Sequence, residues 1–169
     1  MTGVIMLDID GVLTTARSRV RGSTVFDASA CVNLECLVAM RKPDIVVHSS
    51  WRKLPRLPAD LYRVPPDPEA DWWYWDLDWF RDMCVFYGMP SVAARIIGVA
   101  PYRFSSGRVT EIRMWMNAND ARDRRVLVLD DDVCAAEFED LPNVRVVKCD
   151  DRVGFTPADC DTSMEFLAC

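Results

Sequence analysis

The chain has 169 residues, about one domain's length, with 50% hydrophobic and 27% charged residues, which excludes a disordered polypeptide and allows a real core. A formal net charge of −6 excludes a global field that would draw the protein to nucleic acid or to an anionic membrane. Seven scattered cysteines without a CxxC pair, and one histidine, describe neither a disulfide framework nor a zinc site. They read as reduced thiols, so a cytoplasmic protein is expected. No apolar run reaches the roughly 18 residues a membrane span needs, and no leader-like segment opens the chain.

In chain order, Val4 to Leu7 is a short apolar run ending in Asp8, Asp10 and Gly11, as buried parallel strands do. Ser18 to Val25 alternates around Gly22 and predicts a small hairpin. Asp27 suits the N-cap of a helix running to about Met40, with Cys31, Leu34, Leu37 and Val38 on its buried face. Asp44 to His48 is a second strand, followed by Ser49-Ser50-Trp51-Arg52 and a proline-rich loop over 54–68. A helix is expected over Glu69 to Tyr87, a strand over Arg95 to Val99, and a helix over Val109 to Met116. Val126 to Leu129 is a strand ending in Asp130-Asp131-Asp132. Val144 to Lys148 is another, before a loop and terminal helix over Gly154 to Cys169.

Strands and helices alternating at this spacing predict one α/β domain over residues 1–169, with a mostly parallel sheet covered on both faces. Three apolar strands end in polar clusters, and the carboxyl ends of such strands converge on one crevice. A single active site is therefore expected where Asp8, Asp10, Ser49, Asp130 and Asp131 meet.

Asp8-Ile9-Asp10-Gly11-Val12-Leu13-Thr14 resembles the first signature, DxDGxxT, of the haloacid dehalogenase (HAD) superfamily. On DxDG alone, a strand followed by an Asp-Gly turn would read the same way. The resemblance implies a HAD-like Rossmannoid fold, with Asp8 as nucleophile and Asp10 as general acid and base. An ionised carboxylate is a usable nucleophile at neutral pH, and a second carboxyl two residues on can reach the same reacting centre. Dehalogenating relatives lack the second aspartate, so Asp10 favours phosphoryl transfer. Ser49 matches the family's hydroxyl position, which binds a phosphate oxygen. Val126 to Asp132 resembles its closing strand with paired aspartates. Clustered carboxylates repel one another and suit a hard cation, so Mg²⁺ is expected on Asp8, the Asp10 backbone carbonyl, Asp130 and Asp131, ahead of Asp132.

The family usually carries a lysine before the last motif. None is present, and Arg108 best fills that place, with Arg103 and Arg113 behind it. Ser49-Ser50-Trp51-Arg52, Ile96 to Pro101 (with Ala100 in place of threonine) and Gly154-Phe155-Thr156 resemble stretches of a compact bacterial and phage branch. That branch includes the HAD domains of Swiss-army-knife RNA repair proteins, so a nucleotide or a phosphorylated nucleic-acid end becomes a reasonable substrate by analogy.

Motif spacing leaves little room for a large cap domain. Ser50 is taken as substrate-binding. Arg52 reads either as a second anion ligand or as a surface residue. Arg17, Arg19 and Arg21 read either as a basic flap on the predicted hairpin or as a solvated face. The aromatic run from Trp72 to Trp79 reads either as core or as a stacking platform for a base, and His48 as a structural residue beneath Ser49. The resulting expectation is a Mg²⁺-dependent phosphomonoesterase working through an aspartyl-phosphate. A HAD-fold phosphotransferase and a non-catalytic binding protein are the alternatives.

Overall fold

The computed structural model describes residues 2–19, 26–53, 77–101 and 107–168. Five strands form one parallel sheet: β1 (Val4–Leu7), β2 (Asp44–Val47), β3 (Ile96–Val99), β4 (Val126–Asp130) and β5 (Val144–Lys148), in the order β3-β2-β1-β4-β5. This is an α/β architecture consistent with a HAD Rossmannoid fold. Six α-helices accompany the described strands: α1 (Ala16–Arg19), α2 (Ala28–Arg41), α3 (Leu77–Phe86), α4 (Pro90–Arg95), α5 (Arg108–Ala118) and α6 (Pro157–Ala168).

Strand side chains alternate between the two faces, which is why the central strands read as unbroken apolar runs. Ile5, Leu7, Ile45, Val47, Leu127 and Leu129 pack into one core with Leu34, Leu37, Phe80 and Val92 from α2, α3 and α4. Val4, Met6, Val46, Val126 and Val128 pack into the other with Ile112, Trp115 and Met116 of α5. A fully buried aliphatic side chain contributes about 1.5–3 kcal/mol relative to exposure, so the two layers together hold the sheet between helices.

The register sets the site. Leu7 pairs with Val47 on one side and with Leu129 on the other. Beyond those pairs, the Asp8 N–H donates to the Leu129 carbonyl at 3.0 Å, and the His48 N–H donates to the Leu7 carbonyl at 3.0 Å. Asp8, His48–Ser49 and Asp130 therefore leave the sheet at one level.

Local chemistry explains the helix boundaries. Asp27 caps α2 by accepting from Ser29 N (2.9 Å) and Ala30 N (3.2 Å). The helix ends where Lys42 turns left-handed, with φ 52°. Helix α4 was not expected. Pro90 starts it, and the Glu35 carboxylate on α2 accepts from Ser91 N and Val92 N at 3.0–3.1 Å. The strand expected from Arg95 begins one residue later for the same reason.

The predicted hairpin over Ser18 to Val25 is corrected at its start. Thr15 N donates to Ser18 Oγ (2.8 Å), and Ser18 N donates to Thr15 Oγ1 (3.2 Å). This reciprocal cap winds residues 16–19 into a helical turn. Arg17 and Arg19 therefore do not alternate along a strand, and the argument that they share a strand face falls. Residues 20–25, with Arg21, lie outside the described residues. So do 54–76, which hold the proline-rich loop, the start of the expected Glu69 to Tyr87 helix, and Trp72, Trp73, Tyr74 and Trp75. The described part of that helix is α3.

Candidate active site

Asp8 stands at the end of β1 and is fully buried. Its Oδ1 accepts from the Ile9 N–H at 2.7 Å, and its Oδ2 accepts from Arg108 Nη1. Ser49, also fully buried, adds a hydrogen bond. Burial pushes the Asp8 carboxyl from 3.8 up to about 6. Arg108 pulls the other way, Asp130 adds to the rise, and the bonds from Ser49 and Ile9 oppose it.

Asp130, at the end of β4, uses its two oxygens differently. Oδ1 accepts from Asp132 N (2.7 Å) and Val133 N (3.1 Å), which folds the acidic turn back over the strand end. Oδ2 accepts from Arg108 Nη1 at 2.7 Å and lies 3.5 Å from His48 Nε2, itself buried. One guanidinium nitrogen thus spans Asp8 and Asp130. Burial works against the charge on Arg108, but the two carboxylates more than offset it and hold the group firmly cationic. Arg108 is the first residue of α5, after the extended Gly107.

Asp131 completes the acidic group. Ligand oxygens of Asp8, Asp130 and Asp131 lie within 4.8 Å of one another, and this acidic cluster could bind a metal. Burial, then Asp130, raises the Asp131 carboxyl above its ordinary value. Gly11, at φ +74°, permits the approach, since a Cβ there would lie 2.3 Å from the Asp131 carboxylate. Three buried or half-buried acids facing one arginine suit a further hard cation with oxygen ligands.

The Asp10 carboxylate is held by a separate set of donors. Oδ1 accepts from Thr14 Oγ1 at 2.9 Å, and Oδ2 accepts from Trp51 Nε1 (2.9 Å) and Ser50 Oγ (3.3 Å). The 3-10 turn Ser50–Lys53 after β2 carries the last two donors. The loop that bears Asp8 and Asp10 rests on the segment after β5: Phe155 N donates to Val12 O (3.0 Å), and Ala16 N to Asp151 O (2.9 Å).

The fold thus brings together Asp8, Asp10, Ser49, Ser50, Arg108, Asp130 and Asp131. Asp132 is exposed. Arg113 instead forks onto Asp140 and the Glu137 carbonyl, at 2.5–2.7 Å, on the outer side of α5. Arg17 is exposed on α1. The side chains of Arg19 and Arg52, and all of Arg103, lie outside the described residues. Sequence reasoning gave Trp51 and Thr14 no role of their own. The signal for Trp51 was an aromatic N–H donor placed directly after the two serines.

Residues 4–65 match the family model described as the HAD domain in Swiss Army Knife RNA repair proteins. This match supports membership of the HAD superfamily. It spans the first two HAD motifs, Asp8 to Thr14 and Ser49 to Arg52, but not the strand carrying Asp130. No curated protein and no solved structure matches the chain. A HAD domain suggests a function of the phosphatase or phosphotransferase type, and HAD domains generally use Mg²⁺. Among the described residues, no helix is long and apolar enough to cross a membrane.

Proposed function

We propose that this HAD domain is a Mg²⁺-dependent phosphomonoesterase acting through an aspartyl-phosphate on Asp8. The observation that carries the reading is the arrangement around Asp8: a buried carboxylate, fixed by Ile9 and Ser49, sharing Arg108 with Asp130, beside an independently held second carboxyl on Asp10.

In the first step an Asp8 oxygen forms a bond to phosphorus while the bond to the leaving oxygen breaks. Asp10 gives its proton to that oxygen. In the second step water attacks the phosphorus, Asp10 takes its proton, and the phosphorus–Asp8 bond breaks to restore the carboxylate. Arg108 and Ser49 bind the transferring phosphoryl oxygens, whose charge would otherwise face two buried carboxylates. Asp8, Asp131, Asp130 and the Asp10 carbonyl would hold Mg²⁺, which when bound offsets the clustered negative charge and draws a phosphate oxygen into the site. For the substrate, the matched family's description and the resemblance of Ser49 to Arg52 favour a nucleotide or a phosphorylated nucleic-acid end. A cytoplasmic setting is part of the same reading.

The test is phosphate release from p-nitrophenyl phosphate, nucleoside 5′- and 3′-monophosphates and 3′- or 5′-phosphorylated oligonucleotides, with Mg²⁺ and with EDTA. Release that needs Mg²⁺ and disappears in Asp8→Asn is expected, because an amide cannot attack phosphorus. Release that survives Asp8→Asn would remove the covalent mechanism.

A further inference from the structure

Trp51 touches both halves of the proposed chemistry. Its indole Nε1–H donates to Asp10 Oδ2 at 2.9 Å. Its backbone N–H donates to Ser49 Oγ at 3.3 Å, and Ser49 in turn bonds Asp8. The residue is 7% exposed, and its ring packs against Phe26 at a centroid distance of 6.1 Å. Phe26 is itself wedged against Phe80 and Tyr87, and the chain enters α2 directly after it. The indole therefore has little freedom to swing.

Among the described residues, the donors Thr14, Ser50 and Trp51 on Asp10 differ in chemistry. Thr14 and Ser50 are hydroxyls, which donate or accept by rotating. The indole N–H donates only. Trp51 therefore holds Oδ2 as an acceptor whether or not Asp10 is protonated. The two hydroxyls can adjust around that fixed contact.

We propose that Trp51 is a positioning residue, which fixes the orientation of the Asp10 carboxyl for proton delivery to the leaving oxygen and keys it, through Ser49, to Asp8. The inference rests on the phosphatase reading above. It carries a specific kinetic signature. A positioned acid matters most for a basic leaving group and little for one that departs without a proton. A residue needed only for packing would lower both reactions alike.

The experiment compares kcat/KM, which reports transfer to Asp8, for an alkyl phosphate (a nucleoside 5′-monophosphate) and for p-nitrophenyl phosphate. Trp51→Phe keeps the ring against Phe26 and removes the N–H. The expected result is a loss of about tenfold or more on the alkyl phosphate and less than about threefold on the nitrophenyl ester. Equal losses on both, or none on either, overturn the inference. Should Trp51→Phe fold poorly, benzothienylalanine at position 51, with sulfur in place of the N–H, makes the same comparison in an isosteric ring.

The contact is also read without turnover. The Nε1–H proton resonance of Trp51, identified by its loss in Trp51→Phe, should move upfield in Asp10→Asn. A resonance that stays in place overturns the inference by itself. A resonance that moves, where the wild-type protein hydrolyses neither phosphate, sinks the phosphatase reading and the inference with it.

Discussion

Gly11 and Asp131 occupy space that only a glycine leaves open: a Cβ on Gly11 would sit 2.3 Å from the Asp131 carboxylate. The left-handed backbone of Gly11, at φ +74°, adds a cost of about 1–2 kcal/mol for any other L-residue. Gly11→Ala should therefore push Asp131 out of the acidic group. The expected outcome in a calorimetric titration is Mg²⁺ affinity weakened about tenfold or more, with unfolding at lower temperature. Unchanged affinity would mean that Asp131 does not ligate the ion.

Arg108 reaches Asp8 and Asp130 through the same nitrogen, Nη1. A single ammonium could replace that contact, whereas an apolar side chain could not. Arg108→Met should lower kcat/KM about 10²–10³-fold. Arg108→Lys should recover most of the loss. If lysine fares no better than methionine, the guanidinium's second nitrogen is needed for substrate.

The raised carboxyl of Asp8 makes a prediction about stability in the absence of metal. The folded state holds this proton more tightly than the unfolded chain, so folding binds protons between 3.8 and about 6. The contribution to stability is therefore largest at low pH and is lost as pH rises through that window. A rise of this size corresponds to about 3 kcal/mol. Urea melts from pH 4 to 7 in EDTA should show wild type losing stability relative to Asp8→Asn as pH rises. Added Mg²⁺ should erase the difference in slope, because the cation favours the ionised carboxylate.

Gly154 supports the Asp8–Thr15 segment from the far side. It has φ +72°, and a Cβ there would meet the Val12 carbonyl at 2.6 Å and the Thr15 methyl at 2.9 Å. Gly154→Ala should cost about 2–3 kcal/mol in denaturant melts and lower kcat, although the residue lies far from Asp8 in sequence. Loss of stability with full kcat would separate the support from the site.

The parts of the fold that could be read from sequence are those decided by local rules. Val4 to Leu7 and Val126 to Leu129 show buried parallel strands because both of their faces are covered. Asp27 shows the start of α2 because its carboxylate reaches its own helix. Helix α4 escaped notice because it is short and takes its cap from Glu35 on another helix. The alternation around Gly22 suggested a hairpin over Ser18 to Val25, but at its start a hydroxyl exchange between Thr15 and Ser18 outweighs that pattern. The same division holds at the site. The aspartates announce themselves by spacing, whereas Trp51 meets Asp10 only once β1 and β2 lie side by side.

The sheet order also dictates when this site can exist during synthesis. β1 lies between β2 and β4, yet β4 begins at Val126. At roughly 5–20 residues per second, β1 waits on the order of ten seconds for its second neighbour. Until then Ile5 to Leu7 present an open edge, a template for pairing with the wrong chain. Asp130 arrives with the strand that closes that edge. The nascent chain therefore gains its acidic cluster and loses that open edge in one event.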